Sequence, residues 1–275
     1  MTIDLQNNYI WGIPPYAFWI GIGLLCSVIL FLYLLYDNEI KIDKQLLIYV
    51  CGIVGVIVGA KLFGVIKNFL LTLYNQEPLT VEILGSAGLV FYGGLLGFLL
   101  CTSIAIFGMY RRLDMALINL IVITIPLFHG FGRIGCLFAG CCFGTEYTDF
   151  LSVTYIHSPQ EIRSCFPTQL VESIFEFAIF ITLFIVHKKN KEKNLLKIYL
   201  ATYAVFRFAL EFMRGDTIRG LFGQLSFSQY ISLLILTILL LLTIIHNTRN
   251  VRRFKNENFD TYNSLTPNWY YKVLR

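Results

Sequence analysis

Charge is scarce in this chain. Only 14% of its 275 residues are Asp, Glu, Lys or Arg, and its mean hydropathy is +0.67. A water-soluble domain carries ~25% charged residues, so the composition excludes one. Met1–Pro14 contains no Lys or Arg, which excludes the basic n-region of a cleaved signal peptide. The first apolar run must then act as its own insertion signal. No internal repeat stands out. No pair of Pro/Gly-broken spans recurs at matching positions in two halves, as a secondary transporter would show. The net charge of +5 sits mostly in loops between apolar runs, so it calls for no nucleic-acid partner.

Hydrophobic residues make up 56% of the chain. They fall into runs near the roughly 20 residues that cross a bilayer as a helix. The spacing predicts an all-α polytopic membrane protein with about seven spans: Pro15–Tyr36, Leu46–Tyr74, Gly88–Phe107, Met115–Phe131, Gln169–Val186, Leu195–Met213 and Phe227–Ile245. The second is long enough to be tilted or broken and contains Lys61 and Lys67. The fourth is short and ends in a glycine-rich stretch. The whole chain, 1–275, reads as a single membrane domain, with a core of about 15–246 and a basic tail, 247–275.

Loop charge sets the orientation. Lys41 and Lys44 follow the first span, Arg111 and Arg112 the third, and Lys188, Lys189, Lys191 and Lys193 the fifth; the tail adds Arg249, Arg252, Arg253 and Lys255. The alternate segments are poor in cations. Residues 1–14 and 75–87 have none, Gly132–Thr168 has Arg133 and Arg163, and the loop after the sixth span has Arg214 and Arg219. Cations mark the cytoplasmic side, so the N-terminus lies outside and the C-terminus inside. The tail, with Trp269-Tyr270-Tyr271, suits either an anionic leaflet surface or plain solvation.

The stretch Gly130–Gly144 sets Arg133 among five glycines and three cysteines, directly after an apolar run. A guanidinium at membrane depth is costly unless an anion or a cavity holds it. Glycines let backbone N–H groups approach a ligand. Gly132, Gly135 and Gly144 with Arg133 thus predict a site for an anion, in a membrane a lipid phosphate. Arg207 and Glu211 lie four apart in another apolar span, on one helix face, with Arg214 three residues on. They read either as an ion pair locking two helices or as further clamps on a phosphodiester, a task that suits Arg better than Lys. Glu211 would orient Arg207 or help to take a proton.

His129 is one helical turn before Arg133. It reads as a general base or as a hydrogen-bonded structural residue. Tyr92, beside Gly93-Gly94, can donate to a phosphate oxygen but is a poor base near neutral pH. Of the cysteines, Cys26, Cys51 and Cys101 fall in spans and read as small core residues. Cys136, Cys141, Cys142 and Cys165 belong to the outer region. Three readings stay open for them: small packing residues, a disulfide with Cys165, or a metal site or nucleophile.

The chain resembles the prolipoprotein diacylglyceryl transferase family. Gly132-Arg133-Ile134-Gly135, closed by Gly144, is similar to the family's Gly-Arg-Ile-Gly-Asn-Phe-x-Asn-x-Glu-x-x-Gly. Phe91-Tyr92-Gly93-Gly94-Leu95-Leu96-Gly97 resembles Phe-His-Gly-Gly-Leu-x-Gly. Phe166-Pro167-Thr168-Gln169-Leu170-Val171-Glu172 resembles Pro-(Ser/Thr)-Gln-Leu-Tyr-Glu. Arg207-Phe208-Ala209-Leu210-Glu211-Phe212-Met213-Arg214 resembles Arg-Phe-x-x-Glu-Phe-x-Arg, and Leu225–Gln229 resembles Leu-Ser-x-Gly-Gln. The departures are Cys136 and Ala139 for asparagines, Cys141 for glutamate, Tyr92 for histidine, Trp19-Ile20-Gly21 for Trp-Tyr-Gly, and Lys61 for an arginine.

The resemblance implies a seven-span bacterial plasma-membrane enzyme. Its substrates would be phosphatidylglycerol and the lipobox cysteine of a prolipoprotein signal peptide, and it would need no cofactor or metal. It implies openings between helices, because both substrates come from the bilayer. The exchanged signature residues leave two alternatives: a transferase with another acceptor or lipid donor, and a non-catalytic phospholipid-binding protein.

Overall fold

The computed structural model describes residues 1–265 apart from 6–7, 77, 79, 81–84, 86–87, 159 and 216–219; for 249–265 it describes the backbone alone. Arg219 and the tail beyond Leu265, including Trp269-Tyr270-Tyr271, lie outside the described residues.

Among the described residues seven α-helices stand out: α1 (Pro15–Asp37), α2 (Asp43–Tyr74), α3 (Phe91–Tyr110), α4 (Met115–Phe138), α5 (Thr168–Lys189), α6 (Leu195–Leu210) and α7 (Phe227–Leu265). Local chemistry sets their starts. Pro15 occupies the first turn of α1, where its missing N–H costs nothing. Asp114 accepts from Ala116 N and Leu117 N at the start of α4, and Asn194 accepts from Lys197 N at the start of α6. Such caps satisfy donors that the helix itself leaves open. Six helices are long and apolar enough to cross a membrane; α6, at 16 residues, falls short. A 3₁₀ turn, Glu211–Met213, prolongs it. Ile57, Leu100, Ile174 and Leu234 point outward from four of the long helices, as lipid-facing side chains do.

One open alternative closes here and one expectation changes. α2 is unbroken over 32 residues. α4 does not stop at Phe131 but runs to Phe138, so Gly130, Gly132 and Gly135 are helical. Their backbone N–H groups serve the helix and do not form the expected anion cradle.

The glycines instead let helices approach. Gly52, Gly55 and Gly59 of α2 face the Phe98, Gly97 and Gly93 region of α3, where an added Cβ would collide with backbone or ring atoms. Small residues at such spacing permit backbone contact between membrane helices. In α4, a Cβ on Gly130 would meet the Phe177 ring at 2.9 Å, and Gly135 packs on Tyr16 and Trp19 of α1. Ser173 Oγ of α5 donates to Gly130 O at 2.9 Å. α4 is the central helix: 72% of its apolar window is buried, against 17–39% in the other five long helices.

One end of the bundle bears a small sheet. β1 (Thr2–Asp4) pairs in parallel with β2 (Val153–Ser158), which pairs antiparallel with β3 (Glu161–Cys165). Ile3, Val153 and Tyr155 pack on Leu137 at the end of α4. β4 (Leu221–Phe222) and β5 (Leu225–Ser226) form a hairpin before α7. At the opposite end Lys188 Nζ reaches Asp37 Oδ1 at 2.6 Å, and Asn119 bonds Lys193 O and Leu195 N. The N-terminus and the loop 139–167 therefore share one end, and the lysine-rich turn 187–194 marks the other.

Candidate active site

The sheet-bearing end of the bundle contains a buried chain of charges shared by α4, α5, α6 and the 3₁₀ turn. Glu172 is its centre. One carboxylate oxygen pairs with Arg133 Nη2 at 3.0 Å, and the other accepts from Arg207 Nη1 at 2.9 Å. Tyr203 Oη donates to Glu172 Oε1 at 2.9 Å. Arg207 Nη2 also meets Glu211 Oε2 at 2.7 Å, and Arg214 Nη1 lies 3.7 Å from that oxygen. Arg133, Glu172, Arg207, Glu211 and Arg214 are all buried.

His129 extends the chain. Arg133 Nε donates to His129 Nε2 at 3.1 Å, and His129 Nδ1 lies 2.8 Å from Glu176 Oε1. An arginine nitrogen only donates, so Nε2 accepts, and Nδ1–H donates to Glu176 Oε1. The imidazole lies flat on Phe91, 3.6 Å between ring centres, with Tyr203 at its edge. Tyrosine and phenylalanine rings thus wall the pair off from lipid.

Local sequence explains the assembly. Glu172 and Glu176 are one turn apart on α5, so both face the same neighbour. Gly130 and Ser173 hold that face against α4, which carries His129 and Arg133. Arg207 and Glu211 meet across the junction of α6 with the 3₁₀ turn. Arg214 is fixed by backbone pairing of residues 213–215 with 143–145: Thr145 N donates to Met213 O at 3.0 Å and Gly215 N to Phe143 O at 3.2 Å. Gly144 lies inside that pairing, where a Cβ would meet Phe166 O and Met213 O. Its role is close backbone approach.

The structure thus brings together His129, Arg133, Arg207, Glu211 and Arg214 of the residues singled out by sequence. Tyr92 is buried nearby against Tyr203, but its hydroxyl is engaged by Ser232 Oγ of α7 at 2.6 Å. Gly132 has room beside it, with Ile20 3.5 Å from an added Cβ. Sequence reasoning missed Glu172 as a site residue, as well as Glu176 and Tyr203. The signal was available: two carboxylates four apart in an apolar span are as costly as the Arg207–Glu211 pair that was noticed.

Cys136, Cys141 and Cys142 converge beside this chain, their sulfurs all within 4.8 Å of one another. Cys165, 1% exposed, is free, as are the other cysteines. Of the three readings open for these cysteines, the disulfide to Cys165 is therefore absent among the described residues. The 141–142 turn is held by its carbonyls. Gln169 Nε2 donates to Cys141 O and Thr168 Oγ1 to Cys142 O, both at 2.7 Å. Cys142 adopts φ +61°, a left-handed conformation uncommon outside glycine. Thiol hydrogen bonds from Cys136 and Cys141 hold the Cys142 thiol well below its usual range, and the Arg133 and Arg214 guanidiniums act in the same direction.

An apolar groove of about 190 Å³ opens between α5 and α6, lined by Phe175, Ile179, Leu183 and Ile198 among others. It lies along α5 on the lysine-rich side of Glu172.

Residues 9–245 match the family model described as prolipoprotein diacylglyceryl transferase. The phosphatidylglycerol–prolipoprotein diacylglyceryl transferase 2 of Clostridium perfringens is 34% identical over 241 residues, 86% of this chain and 92% of its own. The corresponding transferase of Clostridium tetani is 34% identical over 222 residues, 79% of this chain and 87% of its own. That of Helicobacter pylori strain J99 is 26% identical over 267 residues, 87% and 92% of the two chains. With the family model spanning most of its length, the chain belongs to the prolipoprotein diacylglyceryl transferase family.

Proposed function

We propose that this protein transfers the diacylglyceryl group of phosphatidylglycerol to the lipobox cysteine thiol of a prolipoprotein, in the bacterial plasma membrane. The N-terminus and the site end face outward, and the lysine-rich turn faces the cytoplasm. The observation that carries the reading is the row of three guanidiniums, Arg133, Arg207 and Arg214, strung on two carboxylates at one end of the bundle.

The reaction is a displacement at an sp³ carbon. The acceptor thiol loses its proton, a sulfur–carbon bond forms at the glycerol carbon of the diacylglyceryl group, and the bond from that carbon to the phosphate oxygen breaks. The electron pair leaves with glycerol phosphate. The protein must hold the phosphate, orient the lipid and receive a proton. Arg133 and Arg207 hold the phosphate, exchanging part of their contact with Glu172 for the lipid oxygens. Charge that builds on the leaving phosphate then meets fixed cations in a site largely shielded from water. Arg214 adds a third cation through Glu211.

His129 is the base of this reading. Glu176 fixes its Nδ1–H, so Nε2 is the basic atom. When Arg133 turns toward phosphate, Nε2 loses its donor and can take the thiol proton, with Glu176 stabilising the imidazolium. The groove between α5 and α6 accepts an acyl chain, which enters sideways from the bilayer.

The test is transfer by purified protein in phosphatidylglycerol vesicles to a peptide carrying a lipobox cysteine. The expected product is a peptide heavier by one diacylglyceryl group, absent when the peptide cysteine is serine. No product alongside intact phosphatidylglycerol binding would make the protein a lipid binder and overturn the reading.

A further inference from the structure

The cysteines at 136, 141 and 142 occupy the positions where the family's signature has asparagine, glutamate and an unspecified residue. The charged cluster does not use them. We propose that Cys136, Cys141 and Cys142 bind one zinc ion, whose fourth position takes the acceptor thiol as a thiolate. This rests on the transferase reading above and names the group that activates the nucleophile.

The geometry fits a three-thiolate site. With Zn–S bonds of about 2.3 Å, tetrahedral sulfurs stand about 3.8 Å apart. Here all three sulfurs lie within 4.8 Å of one another, so each pair closes by at most about 1 Å on binding. Cys136 is buried at the end of α4, while Cys141 and Cys142 are half-buried. One side of the triad is therefore fixed by the helix and the other can be reached.

The turn is also built to hold its shape. Cys141 N returns to Cys136 O at 3.2 Å, closing the turn on the helix end. Gln169 and Thr168 pin the carbonyls of Cys141 and Cys142 from the start of α5. Both side chains are 1% exposed, so the turn is held from a buried, fixed position. The triad is tied to the phosphate clamp on both flanks. Arg133 is one turn before Cys136 on α4, and Gly144, two residues after Cys142, is bridged to Arg214.

Three protein ligands and an open position is the arrangement of zinc sites that do chemistry rather than hold structure. A thiol that coordinates zinc is deprotonated outright. The step balances without a redox partner. The acceptor thiol binds zinc and its proton passes to water and on to His129 Nε2. The zinc-bound sulfur forms the bond to carbon, the carbon–phosphate-oxygen bond breaks, and glycerol phosphate carries away the electron pair. The neutral thioether, a weaker ligand, leaves the metal. In this chain the lost signature carboxylate at position 141 is thereby replaced by a ligand set.

Purified full-length protein kept reduced and free of air is loaded with one equivalent of cobalt(II) as a spectroscopic stand-in for zinc. Wild type should show intense thiolate-to-cobalt absorption and the visible bands of a tetrahedral ion. Cys136→Ser and Cys142→Ser should lose them, and Cys26→Ser, in α1, should keep them. A lipobox peptide with cysteine should shift the visible bands, and its serine counterpart should not. Stripping wild type with a chelator should lower transfer at least tenfold, with recovery on adding zinc; this arm needs no variant to fold. Absence of the tetrahedral bands in reduced wild type overturns the proposal. So does full transfer by metal-free protein, or a spectrum blind to the peptide thiol. A peptide-sensitive cobalt site without transfer from phosphatidylglycerol would uphold the site and sink the transferase reading instead.

Discussion

Replacing Glu172 by Gln removes one negative charge and little else. In the folded protein Glu172 is the shared counter-charge of Arg133, at 3.0 Å, and Arg207, at 2.9 Å, while Tyr203 donates to it at 2.9 Å. Its carboxylate is 2% exposed, so water cannot take over. Breaking a buried pair by removing one partner costs about 3–5 kcal/mol, because the other charge stays buried. Gln keeps an oxygen for Tyr203 or for one arginine, and Arg207 keeps Glu211, which places the expected loss near the lower value, about 3 kcal/mol. Ala would give the higher one. The assay is reversible unfolding in a neutral detergent, with and without phosphatidylglycerol. The anionic lipid should stabilise Glu172→Gln more than wild type, because its phosphate replaces the missing charge. A variant within about 0.5 kcal/mol of wild type, a change usual for surface sites, would refute the idea that Glu172 holds the two arginines. Equal lipid stabilisation of both proteins would refute the idea that phosphate and Glu172 share the same guanidiniums.

Arg133→Lys and Arg207→Lys should each lower transfer by at least about tenfold, because a point charge does not reproduce bidentate contact; wild-type rates in both would remove the clamp. His129→Gln should lower turnover by at least about tenfold at neutral pH with lipid affinity little changed, as for a lost general base. Glu176→Gln should give a smaller loss in the same direction, and equal rates of wild type and His129→Gln across about pH 6–8 would assign His129 to positioning Arg133. For topology, Phe150→Cys should react with an impermeant thiol reagent from outside intact cells and Lys191→Cys only after the membrane is opened. Reaction of both from one side would overturn the orientation.

The membrane class, the helices and the family were legible along the chain. Apolar run length alone placed α1, α2, α3 and α5 within a few residues, but it gave only the start of α7, which runs on past Ile245 to Leu265 through a polar segment; loop lysines separated the two ends. Arg207, Glu211 and Arg214 were legible because charges three and four residues apart in an apolar run are a one-dimensional signal, although the helix itself ends at Leu210 and Arg214 lies beyond the 3₁₀ turn. What the sequence could not give is which helix faces meet. Glu172 belongs to a motif legible in the sequence, yet its role as a bridge exists only because Gly130 lets α5 close on α4. The glycines of 130–135 looked like a ligand cradle, but a helix that continues to Phe138 consumes their N–H groups. Gly93 and Gly94, beside Tyr92, turn out to seat α3 on α2. Cys141 and Cys142, five and six residues after Cys136, gave no spacing signal, and only the turn after α4 brings the three thiols together. Periodicity decides which residues share a face. Close packing between faces, which depends on small residues at distant positions, decides which charges become partners.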